Sequence, residues 1–207
     1  ILVISPDRGL CGGLVGDLNR IVGQFMLDQE APVTAIVAGR KSRDFMVRSG
    51  QDVKAVFTDL PERPDLVDTT AISHLVIDAY TEGEVDEVHL AYTKFVSTVS
   101  QTPVIERLIP VTTASLTGQE KVGYIYEPDS ITDLSALLPR YVEMQIYRSV
   151  LESIASEQSA RMVAMRNATD NANEMVGDLT LVMNKARQEN ITKELLDIVG
   201  GAVAVEQ

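Results

Sequence analysis

Apolar positions along the chain follow two regimes. Through about residue 128, short apolar runs alternate with segments whose apolar residues recur at helical spacing. Residues 1–4 form a strand-like run that stops at Ser5-Pro6-Asp7 and a glycine cluster, after which Leu14, Leu18, Ile21, Val22, Phe25 and Met26 mark a helix. A second strand is expected over 33–38, a basic helix from Gly39 through Arg48 and a third strand over 53–57. Leu66, Ile72, Leu75, Val76 and Ala79 place a helix over 65–80, and the β-branched stretches to Val111 supply further strands. Strands separated by helices imply right-handed crossovers and a mostly parallel sheet covered on both faces, so the expected class is α/β and Rossmann-like.

From Ile131 the pattern becomes a single helical one. Leu151, Ile154, Met162, Met165, Ala168, Ala172, Met175, Leu179, Val182, Ala186, Ile191, Leu195 and Ile198 recur at steps of three and four. Pro139 is expected to mark a joint or a first-turn position, because a helix interior excludes proline. A continuous helix here would be on the order of 90–100 Å long, so most of it must project. The expected division is a globular domain over 1–128 and a shaft helix over 129–207. An exposed seam of that length needs a partner helix, in trans or in a preceding segment. Ile1, already inside a strand-like run and not a Met, points to a longer polypeptide. The seam is rich in Ala and Met, residues that allow close approach and adaptable packing.

Charge and candidate chemistry narrow the function. Of the 207 residues, 18 are Lys or Arg and 30 are Asp or Glu, a net charge of −12 that makes nucleic acid an unlikely main partner. No apolar run reaches the roughly 20 residues needed to cross a bilayer, and the start lacks the basic region of a signal peptide. The single cysteine, Cys11, excludes an internal disulfide and a Cys-based zinc site. Its sequence neighbours offer no titratable partner, so a buried or turn-facing thiol is expected rather than a nucleophile. His74 and His89 lack metal-ligand spacing. The turn Gly9-x-x-Gly12-Gly13-x-x-Gly16 fits neither the dinucleotide nor the Walker pattern, and Asp17 competes for the helix end that a phosphate would use. No cofactor or metal is expected. The competing reading is an NADP-dependent, oxidoreductase-like domain with a coiled-coil oligomerisation helix, in which Arg40, Lys41 and Arg43 would meet a 2′-phosphate.

Four stretches carry a resemblance. Asp7-Arg8-Gly9-Leu10-Cys11-Gly12-Gly13-Leu14, ASEQSARMVAM over 155–165 and NKARQENITKEL over 184–195 resemble the γ subunit of F-type ATP synthase, as does YIYEPD over 124–129. The resemblance runs in order over nearly the whole chain. It implies a Rossmann-like foot beside an antiparallel coiled coil whose other strand is a long N-terminal helix. It also implies a rotor that couples proton-driven rotation of the membrane c-ring to ATP synthesis or hydrolysis at the β subunits. The nucleotide chemistry would lie on the α and β subunits. Implied contacts to β are Arg161, Arg187, Gln188, Thr192 and Glu194, while Tyr124, Tyr126 and Glu127 would face the ε subunit or the c-ring. The plant chloroplast form has an inserted loop with a cysteine pair, which this chain lacks, so the resemblance is to a bacterial-type subunit. Such a subunit is peripheral on the cytoplasmic face of the plasma membrane, without insertion.

Overall fold

The computed structural model describes residues 1–111 and 130–205. The elements run β1 (Leu2–Ile4), α1 (Leu14–Asp28), β2 (Ala35–Ala38), α2 (Arg40–Arg48), β3 (Val53–Phe57), α3 (Leu66–Thr81), β4 (Val88–Phe95), β5 (Gln101–Ile109) and α4 (Ser130–Val205). The strands form one sheet in the order β3-β2-β1-β4-β5. The first four are parallel, with Val3 opposite Val37 on one side and Ala91 on the other. β5 follows β4 as an antiparallel hairpin and forms the sheet edge, which is where Pro103, with no N–H to give to a ladder, can sit.

Strand alternation divides the core into two. Leu2, Ile4, Ile36, Ala38, Leu90 and Tyr92 point to one face, where Ile72 and Val76 of α3 and Val142, Ile146 and Val150 of α4 cover them. Val3, Ala35, Val37 and Ala91 point to the other, under Leu18, Val22 and Met26 of α1 and Met46 of α2. Burial on both faces is why β1 and β2 read as unbroken apolar runs. The four-residue steps from Leu14 to Met26 put one stripe of α1 on the sheet. At the start of α3, the Asp68 carboxylate accepts the Asp65 backbone N–H at 2.7 Å, so the first turn is closed by its own side chain.

By compactness the chain falls into two units, Ile1–Val163 and Ala164–Gln207. The first takes in α4 through Val163. Within it, Ser149, Ser153 and Ser156 are buried beside Val142, Ile146 and Val150, and their small side chains let this part of α4 lie close to its neighbours. Ser156 Oγ donates to the Thr93 carbonyl at 3.0 Å and Ser149 Oγ to the Gln145 carbonyl at 2.8 Å, so neither buried hydroxyl is orphaned. In the second unit, residues 166–198 are exposed throughout.

Pro139 corrects one expectation. It lies inside α4, about two and a half turns past Ser130, and neither begins nor breaks the helix. The turns around it carry exposed Leu134, Leu137 and Leu138, so the ring is not forced against a packed neighbour.

Candidate functional site

The first place to look for a ligand in a doubly wound sheet is the crevice beyond the carboxyl ends of its parallel strands. Here that crevice has a cavity of about 340 Å³ lined by the loops after β1, β2 and β3 and by α4 residues from Val150 to Arg161. Its wall is built on Asp7. One carboxylate oxygen accepts the backbone N–H of Arg40, at the first turn of α2, and the other accepts the backbone N–H of Asp59, both at 2.8 Å. Asp59 adopts a left-handed backbone, φ 61°, which an aspartate tolerates, and its carboxylate takes both oxygens to Arg40 at 2.5 and 2.6 Å. The Arg40 guanidinium in turn holds the Asp59 carboxyl below the usual carboxylate range.

This geometry decides against the dinucleotide reading. A phosphate would need the α2 N-terminus and a free guanidinium. The chain's own Asp7 carboxylate fills the first and Asp59 occupies the second. Gly39, between β2 and α2, is there for packing: its φ is +114°, and a Cβ would lie 1.9 Å from the Ser5 carbonyl oxygen. The glycine is needed because two strand ends meet, not because a ligand approaches.

The glycine turn leads into α1 with Leu10 at φ 63° and Gly12 at φ 62°. Cys11 is buried, as expected, yet it has titratable neighbours that its sequence surroundings do not disclose. Burial pushes its thiol pKa up, the Glu157 carboxylate pushes the same way and Arg161 opposes both. Arg161 Nη2 donates to Glu157 Oε1 at 2.5 Å and, more weakly, to the Gly9 carbonyl at 3.5 Å; Nη1 reaches Gln158 Oε1 at 3.3 Å. His89, the other candidate of interest, bonds Glu87 at 3.0 Å and packs on the Phe25 ring, a structural role. His74 is exposed on α3.

The distal helix is a different kind of surface. Met165, Ala168, Ala172, Met175, Leu179, Val182 and Ala186 keep strict alternating three- and four-residue steps, the signature of a coiled-coil seam. All of them are exposed, the pattern of a stripe that a second helix covers. After Ala186 the seam gives way to polar residues and resumes at Ile191, Leu195 and Ile198. Gln188 and Thr192, one turn apart, line a shallow patch with Lys185, Glu189, Lys193 and Leu196. Arg187 and Glu194 are seven residues apart, two turns along one line of the helix, and do not belong to that patch. Among the described residues, none of the charges beyond Arg161 on α4 is ion-paired within the chain. Of the five residues expected to meet β, Arg187 and Gln188 fall in the polar interruption of the seam and Thr192 and Glu194 just past its resumption at Ile191, while Arg161 lies in the first unit against the glycine turn. Tyr124, Tyr126 and Glu127 lie outside the described residues.

A sheet whose ligand position is filled by its own carboxylate, with a helix whose seam and charges are uncovered, is the architecture of an assembly subunit. Residues 1–205 match the family model described as ATP synthase. The chain is 58% identical over 205 residues to the ATP synthase gamma chain of Dehalococcoides mccartyi (strain CBDB1), covering 99% of this chain and 72% of that one. Its fold is similar to a chain of the Tetrahymena thermophila mitochondrial ATP synthase central stalk and c-ring structure, with TM-score 0.64 and 25% identity over 81% of this chain and 75% of that one. It is also similar to a chain of the Euglena gracilis mitochondrial ATP synthase OSCP/F1/c-ring structure, with TM-score 0.71 and 20% identity over 99% and 71%. The chain belongs to the ATP synthase gamma-chain family.

Proposed function

We propose that this chain is the central-stalk rotor subunit of an F-type ATP synthase, coupling rotation of the membrane c-ring to ATP synthesis or hydrolysis at the β subunits. The observation that carries the reading is α4: a helix of 76 residues whose distal seam and charges find no partner among the described residues. The partners in this reading are the α and β subunits around the helix and ε with the c-ring at the foot. The chain itself does no chemistry in this reading and holds no cofactor, in keeping with the self-filled crevice. It is peripheral on the cytoplasmic face of a bacterial plasma membrane; among the described residues, no helix is long and apolar enough to cross one.

Arg187, Gln188, Thr192 and Glu194 are the proposed contacts to β. Such contacts must hold one rotor angle and then let go. Exposed side chains suit that task, because each is solvated before and after the step and gives up little to water exchange. A hydrogen bond involving a charged group is worth about 1.5–3 kcal/mol, enough to bias an angle and small enough to break. The Arg187 fork fits a carboxylate on β, while Glu194, two turns on, fits a donor; Gln188 and Thr192 supply neutral bonds on a neighbouring flank. Tyr124, Tyr126 and Glu127 remain the proposed contacts to ε or the c-ring.

The test is coupled ATP synthesis by membrane vesicles carrying Arg187→Ala or Gln188→Ala. Synthesis is expected to fall several-fold while subunit composition and the thermal melt of the free chain stay unchanged. Wild-type synthesis by the Arg187→Ala/Gln188→Ala double variant would remove these residues from the rotor-to-β contact.

A further inference from the structure

Arg161 and Glu157 differ from every other ion pair on α4. The difference lies in the arginine: Arg161 is 25% exposed, against 63% and 62% for Arg140 and Arg148, while the acidic partners Glu157, Glu143 and Glu152 are alike at 15%, 18% and 20%. The pair lies by the glycine turn: Arg161 reaches the Gly9 carbonyl at 3.5 Å, and Cys11, two residues on, is buried and feels both charges. One turn before Arg161, Ser156 bonds the Thr93 carbonyl of β4. Two ties therefore fall on neighbouring turns of the helix, one to the sheet and one to the turn at the start of α1.

We infer that Glu157 and Arg161 form a lock that fastens α4 to the glycine turn, with Arg161 a positioning residue that bears torque rather than a contact to another subunit. The inference rests on the rotor reading. A helix delivering torque must not slip where it leaves its domain, and the fully buried apolar residues of α4 end at Val150, more than two turns before Arg161. A hydrogen bond has direction: Glu157, one turn back on the same helix, holds the Arg161 fork in place, and turning the helix pulls that fork from the Gly9 carbonyl. The lock and the distal contacts divide the work, since one must stay closed through the cycle and the others must open.

Cys11 reports the lock. In the assembled enzyme, a small maleimide is expected to label Cys11 slowly in the wild type and at least about tenfold faster in Arg161→Ala, with Arg161→Lys in between. Glu157→Gln, nearly the same shape, is expected to speed labelling too, and it keeps the test available should Arg161→Ala fail to assemble. The second readout is protons pumped per ATP hydrolysed, which a simple loss of folded enzyme would not change; it is expected to fall in the fast-labelling variants at unchanged subunit composition. Labelling at the wild-type rate in both variants, or fast labelling with the wild-type pumping ratio, would overturn the lock. Failure of the rotor reading itself looks different: pumping would persist in cells lacking this chain, whatever Cys11 does.

Discussion

Ile146 and Leu179 are both apolar residues of the same helix, yet the first is 0% exposed and the second 61%. Near Ile146, α4 meets a sheet that leaves no room for adjustment, and even its polar side chains, Ser149 and Ser156, are tied to carbonyls. Near Leu179 the same kind of residue has no covering surface among the described residues. The difference teaches that one helix can serve two purposes without a break in its pattern: fixed burial where it must stay put, and uncovered Ala, Met and Leu positions where its neighbours must be able to change.

The contrast breaks first at the foot. Gly39→Ala puts a Cβ against the Ser5 carbonyl at a backbone angle that alanine avoids, so a loss of about 3 kcal/mol or more is expected, read as failure to accumulate folded chain or as a large fall in the urea midpoint. Ile146→Ala comes next: emptying a fully buried site costs about 2–5 kcal/mol by denaturant melt of the full chain. Leu179→Ala, made for comparison, is expected to change that melt by less than about 0.5 kcal/mol, while lowering the melting temperature of the assembled enzyme. Equal losses for the two in the free chain would abolish the distinction.

Arg40→Ala sits at the small end and has a signature in pH. Asp59 titrates below its unfolded value because Arg40 bonds its charged form. The pair's contribution is therefore complete above the ordinary carboxylate pKa and disappears as pH falls through the lowered value. A modest stability gap between wild type and variant is expected at pH 7, closing on acidification and shrinking in high salt, since both side chains are open to solvent. A gap that widened in acid would contradict the Arg40–Asp59 pairing.

Much of this was legible in the residues. Unbroken runs such as AIVA of β2 and the four-residue steps of α1 are dictated by burial on two faces and on one, and both can be read from spacing alone. The seam beyond Met165 is equally plain. What spacing could not reveal is which apolar steps on α4 are covered within the chain, because Val142, Ile146 and Val150 recur as the exposed positions do. Nor could it bring Arg161 to Gly9, 152 positions away, or give Cys11 its charged neighbours. Arg40 looked like a phosphate ligand because its two partners, Asp7 and Asp59, lie on other loops. Pro139 misled for a local reason: helix propensity penalises it, but an exposed turn of a long helix absorbs one missing donor.

The carboxylate of Asp7, held by two backbone N–H groups, has a consequence for life inside a cell. A rotor of this family would turn in a solution of millimolar nucleotides and phosphate, on a fold whose strand ends commonly recognise such anions. With a fixed negative charge already seated at the α2 N-terminus, a free phosphate would meet a helix end that is taken and a carboxylate that repels it.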